Sequence, residues 1–140
     1  MAFRPFEELR VFQISEHLSD EVWDIVTIWG YFEKDTVGKQ FIRAADSIGA
    51  NIAEGAGRGY SKDNQRFIRI ARGSLNETKF WLRRASKRNL LSEAQAENLK
   101  TTLDELAPTL NAYLKSIGKN TKHQIQNTKH QTQNTNECQK

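Results

Sequence analysis

Apolar residues recur at steps of three and four along most of this chain, the period of helices that bury one side. Val11, Ile14, Leu18, Val22, Ile25, Trp29 and Phe32 draw one stripe and predict a helix over residues 6–32. Phe12, Trp23 and Val26 lie beside that stripe. So broadly apolar a helix is expected to touch more than one neighbour. Phe41, Ala45, Ile48 and Ile52 predict a second helix over 37–54. Its small residues, Ala44, Ser47, Gly49, Ala50 and Ala53, admit another helix closely, and Gly55, Gly57 and Gly59 stop it.

A third helix is expected over 61–88, with Ser61 as N-cap and Asp63 in its first turn. Phe67, Ile70, Ala71, Ser74, Thr78, Trp81, Leu82 and Ala85 form its expected inner face, and Ile68 falls near the edge of the opposite half. The fourth starts at the capping box "SEAQ", Ser92 to Gln95. Leu99, Leu103, Leu106, Leu110, Tyr113 and Ile117 then alternate steps of four and three, as a bundle seam does. Pro108 sits inside this run and should kink it or strand the carbonyl of Asp104. No strand alternation occurs. The pattern is all-α: an antiparallel up-and-down four-helix bundle over residues 1–118 with a disordered C-terminal tail over 119–140.

That tail is a direct repeat, "NTKHQIQ", "NTKHQTQ", "NTNECQK". Its period is seven, yet Ile125 is its one aliphatic residue, so a coiled-coil seam is excluded. Sequence this polar buries too little to offset its ordering entropy. His123 and His130, seven residues apart, are weak evidence for a metal, and no metal site is expected.

Charge adds what the apolar pattern does not. The formal net charge is +4, but it is unevenly spread. Residues 7–33 carry seven acids and one base, whereas residues 58–88 carry ten bases and two acids. At ~100° per residue, Lys62, Arg66, Arg69, Arg72, Lys79, Arg83, Arg84, Lys87 and Arg88 fall within one half of the third helix, with Phe80 in their midst. Two readings compete. The stripe, with Arg58 ahead of it, binds nucleic acid phosphates, for which the planar fork of arginine is suited. Alternatively it is solvated, or meets acidic faces of the first helix or of neighbouring subunits.

Catalysis finds little support. His17 is the one histidine before the tail, and the single cysteine, Cys138, lies within the tail, as suits a reducing compartment. No Glu-x-x-His occurs. The glycines of "GAGRGYSKD" lack the Gly-Lys-Ser/Thr ending and preceding strand of a phosphate loop, although Arg58 and Lys62 near a helix start suit an anion. No cofactor is expected. The N-terminus has no signal-peptide pattern and no run reaches a membrane span, so a cytoplasmic protein is expected. Arg43, Ser47, Asn51 and Glu54 line one flank of the second helix and are expected to form a structural polar network, with Glu54 paired to an arginine because an unpaired buried carboxylate is costly.

The stretch "QFIRAADSIGANIAEGAGRGYSKDNQRFIRIARGSLNETKFWLRRA" closely resembles the signature region of the four helix bundle proteins, also called 23S rRNA-intervening sequence proteins. Arg43, Ala44, Ser47, Ile48, Asn51, Ile52, Ala53, Glu54, Gly55, Arg58, Phe67, Ala71, Gly73, Ser74 and Glu77 carry the resemblance, which spans residues 6–118. It implies a small cytoplasmic bacterial protein that forms homopentamers with a central opening and has no established enzymatic activity. Some members are encoded within 23S rRNA genes. A distant branch comprises accessory proteins of diversity-generating retroelements, which bind nucleic acid and a reverse transcriptase. A pentamer would bring five arginine-rich helices into one ring and would bury the spare apolar side of the first helix, so that the resemblance implies an oligomer interface at Phe12, Trp23 and Val26. The resemblance therefore favours nucleic acid, RNA above DNA, with a scaffold or accessory subunit for a partner protein as the alternative. Pro108 has no counterpart in the resemblance.

Overall fold

A computed structural model describes residues 4–137, with side chains described as far as Gly118. After a 3-10 turn, Phe6–Glu8, come α1 (Arg10–Val26), α2 (Tyr31–Glu33), a π-helical turn (Lys34–Gly38), α3 (Lys39–Ala56), α4 (Ser61–Lys87) and α5 (Glu93–Glu137). The single turn of α2, the π turn and α3 run on without a break, so the bundle has four helical bodies. Among the described residues there is no strand. Each body packs on its sequence neighbours, and α5 closes the ring against α1. Short connections make the order up-and-down. Hence α1 and α4 occupy opposite corners with no packed face between them.

The core is the seam the periodicity predicts. Val11, Ile14, Leu18 and Val22 of α1 meet Phe41, Ala45, Ile48 and Ile52 of α3 and Leu99, Leu103, Leu106 and Leu110 of α5. Gly49 lets α1 come close: a Cβ there would lie 3.0 Å from Ser15 Oγ.

The first corner departs from the expected helix over 6–32. α1 ends at Val26, Trp29 N–H bonds to the Val26 carbonyl, and Gly30 turns to extended backbone (φ −65°, ψ 164°) before the next helix starts at Tyr31. Trp29 folds back on the core, whereas Phe32 is exposed. Trp29 and Phe32 continue the α1 period only numerically: the helix itself is broken by the extended Gly30 between them. Val26 is likewise not an outer residue. It is 2% exposed and packs so near Gly38 that a Cβ there would lie 2.6 Å from Val26 Cγ1.

The second corner uses its glycines differently. Gly59 alone takes a left-handed conformation (φ 65°), whereas Gly55 is buried where α3 meets α4. The N-cap of α4 is Tyr60, with no side-chain capping bond, so Ser61 is the first helical residue rather than the cap. The third corner is a left-handed cap: Asn89 has φ 59°, and Leu90 N–H reaches back to the Ala85 carbonyl.

The capping box forms as expected, with Ser92 N–H donating to Gln95 Oε1 at 3.0 Å and Gln95 N–H to Ser92 Oγ at 3.1 Å. Pro108 lies within α5 on its exposed side, as does Asp104, and helical backbone runs on through it. Helical backbone extends to Glu137, but the apolar seam ends at Ile117. The repeat expected to be disordered from residue 119, with His123 and His130, lies outside the described side chains.

Candidate nucleic-acid interface

The face of α4 that meets the core is rotated from the expected one. Ile68 is fully buried and Leu75 nearly so, whereas Ile70 is 43% exposed. Ala71, Ser74, Thr78 and Ala85 are buried as expected, and Phe67, Trp81 and Leu82 are half-buried at the margins. The row Ile68, Ala71, Leu75, Thr78, Leu82, Ala85 is thus the inward line. It moves the middle of the outward half to Gly73 and Phe80.

On that outward half, Lys62, Arg66, Arg69, Arg72, Lys79, Arg83, Lys87 and Arg88 are exposed and Arg84 is half-buried. Their intramolecular counter-charges are missing for a topological reason: the acid-rich α1 stands at the far corner. Among the described residues the ion pairs are Arg4–Glu8, Arg10–Glu105, His17–Glu21, Lys39–Asp35 and Arg58–Glu54. None involves a cation of α4. Pairing of the stripe with the first helix of the same chain, one branch of the second reading above, is thereby excluded; a solvated face and a contact with neighbouring subunits are not.

Arg58 stands apart from the stripe. Its Nη2 pairs with Glu54 Oε1 at 2.9 Å, and its guanidinium lies 4.9 Å from the Phe67 ring centroid. Arg66 approaches the same ring at 4.8 Å. An arginine over an aromatic face gains roughly 0.5–1 kcal/mol at exposed sites, so Phe67 orients both guanidiniums at the N-terminal end of α4. Beside them an open groove of about 510 Å³ is lined by Phe6, Ala50, Ala53, Glu54, Gly57 and Arg58. Its one cation is already paired with its one carboxylate, which leaves little net charge for an anion.

Further along, Phe80 is 51% exposed. Its ring meets Trp81 edge-on, 4.9 Å between centroids, and Trp81 Nε1–H donates to Glu77 Oε1 at 3.4 Å. The ring is therefore held at one edge by Trp81 and half exposed on the basic face.

The polar network on α3 is smaller than expected and includes a partner the sequence did not nominate. Ser47 Oγ and Ser74 Oγ lie 2.9 Å apart across the α3–α4 contact. Asn51 Nδ2 donates to the Ser47 carbonyl at 2.7 Å and to Ser47 Oγ at 3.0 Å. Arg43 and Glu54 take no part. Both are exposed, and Glu54 is tied to Arg58 one turn away rather than across the interface. A carboxylate in water has no desolvation to offset, which is why it needed no buried partner.

Of the residues expected at an oligomer interface, Val26 is internal. Phe12 is half-buried, edge-on to Phe6 with centroids 4.8 Å apart. Trp23 is exposed, and at the first corner Ile28, Tyr31 and Phe32 are exposed with it. Periodicity alone hides this group because Phe32 fits the α1 stripe; the signal is Gly30 between Ile28–Trp29 and Tyr31–Phe32. Among the described residues, no group of three or more His, Cys, Asp or Glu side chains converges to hold a metal, and no helix is long and apolar enough to cross a membrane.

The geometry agrees with the comparisons. The fold is similar to the crystal structure of a protein of unknown function from the S23 ribosomal protein family of Bacteroides thetaiotaomicron. The likeness has a TM-score of 0.69 at 24% identity, covering 75% of this chain and 95% of that one. No curated protein matches. The family model of the 23S rRNA-intervening sequence proteins matches residues 7–112, nearly the whole bundle, and the chain belongs to that family.

Proposed function

We propose that the chain is a non-catalytic cytoplasmic protein that binds nucleic acid, RNA above DNA, through the outward face of α4, and that it does so as a homo-oligomer. One observation carries the reading: among the described residues, no cation of α4 has an ion-pair partner in its own chain. Six of the nine are arginines, whose forks suit phosphate oxygens. Neutralising several phosphates releases counterions, so the affinity falls steeply with salt.

The test is a salt titration of RNA binding by the wild type and by a variant with Arg66, Arg69, Arg83 and Arg84 changed to Glu. A steep slope lost in the variant supports the reading. Equal binding by the two proteins, or none by either at low salt, ends it.

The alternative, a scaffold or accessory subunit that meets only proteins, is favoured by a different observation, the exposed group Trp23, Ile28, Tyr31 and Phe32. Both surfaces serve one protein if the aromatic corner joins subunits and α4 faces the polyanion.

A further inference from the structure

Gly73 stands in the middle of α4 and has no packing reason to be glycine. A Cβ there would meet nothing within 4 Å beyond its own turn of helix. At Gly38, Gly49 and Gly55 a Cβ would instead lie between 2.6 and 3.0 Å from a neighbour. Mid-helix glycine is the poorest helix former after proline, and nothing inside this chain compensates for it. Gly73 is the floor of a shallow saddle. Ile70 rises one turn before it and Phe80 two turns after it, about 10 Å along the axis. Arg66 and Arg69 lie at one end and Arg83 and Arg84 at the other.

We propose that this saddle takes an unpaired stretch of RNA: a base stacks on Phe80, the sugar–phosphate chain passes close over Gly73, and the flanking arginines hold its phosphates. The inference rests on the nucleic-acid reading of α4 and deepens it. A duplex stacks its own bases and shows a helix face only phosphates and groove edges, leaving an exposed phenyl ring without a partner. A single strand offers base faces, and stacking on aromatic side chains holds them with little regard to sequence. The edge contact with Trp81 holds the Phe80 ring in advance, and bare backbone at Gly73 permits the approach that any Cβ would hold off.

The experiment measures fluorescence anisotropy of the full-length protein with a short labelled RNA, alone and annealed to its complement, beside melting and light scattering. Wild type should prefer the single strand. Phe80→Ala should weaken single-strand binding by about tenfold to a hundredfold and leave duplex binding unchanged, and Phe80→Trp should restore it. Gly73→Ala should raise the melting temperature while weakening single-strand binding, a pairing of signs that a purely structural glycine does not give.

If wild type binds neither RNA, the parent reading fails and this one with it. If the four-arginine variant loses binding while Phe80→Ala and Gly73→Ala bind single strand and duplex as wild type does, the parent reading stands and the saddle is overturned. A change of oligomeric state in Gly73→Ala with RNA binding intact also overturns it, in favour of a contact between copies.

Discussion

Ser47 Oγ and Ser74 Oγ sit 2.9 Å apart, and they are the polar stitch between α3 and α4. Asn51 completes it by donating twice to Ser47. Asn51→Ala removes both donations while leaving the two serines to each other. The expected loss is about 1–2 kcal/mol, as for one or two part-buried hydrogen bonds, read as a lower urea midpoint with RNA affinity unchanged. A loss of RNA binding at unchanged stability would make Asn51 a ligand contact instead.

Gly55 and Asn64 form the tightest approach at the same interface. A Cβ on Gly55 would lie 2.6 Å from Asn64 Oδ1 and 3.0 Å from Phe67 Cβ, and that Asn64 oxygen is buried without a hydrogen-bond partner. Gly55→Ala should destabilise by about 1–3 kcal/mol through overpacking. Adding Asn64→Ala removes the nearest clashing atom, so the double variant should be more stable than the sum of the singles. Simple additivity in denaturation would place the strain elsewhere, at Phe67.

Glu54 tests the opposite expectation. An exposed i,i+4 pair contributes roughly 0.3–0.5 kcal/mol, so Glu54→Gln should leave the melting temperature almost unchanged. Because it frees Arg58 from its pair, RNA binding at low salt should stay level or rise slightly. A clear fall in stability would return Glu54 to the packing network.

The aromatic corner is the place to break the oligomer. Tyr31 is 83% exposed, so Tyr31→Glu places a charge in water in the monomer and in an apolar contact in an assembly. Light scattering should show wild type as an oligomer and the Tyr31→Glu, Trp23→Glu double variant as a folded monomer. A wild-type monomer at micromolar concentration would remove the oligomer from the proposal.

Periodicity located the bundle because buried stripes repeat at 3.6 residues whatever the chain does between them. It failed where two helices happened to keep phase. Trp29 and Phe32 extend the α1 stripe numerically, and only Gly30 signals the break. On α4, Ile68 and Ile70 are two residues apart and equally apolar. Which one turns inward is decided by the row Ala71, Leu75, Thr78 packing against α3 and α5, a tertiary matter. An up-and-down order places the first and third helices diagonally, so pairing of the acidic helix with the arginine stripe was excluded by topology alone. Gly73 was legible only as a residue of the family signature; its bareness requires the packed coordinates around it.

That diagonal has an electrical consequence. With acids gathered on α1 and cations on α4, the chain carries a permanent dipole across its short axis, transverse to the helices. Near a polyanion the field exerts a torque before any atom touches, turning α4 forward and α1 away. A chain so built is one-sided. In the proposed function α4 would face the strand and α1 would repel a second one. Added salt shortens the distance over which the turning acts to about 8 Å at physiological ionic strength.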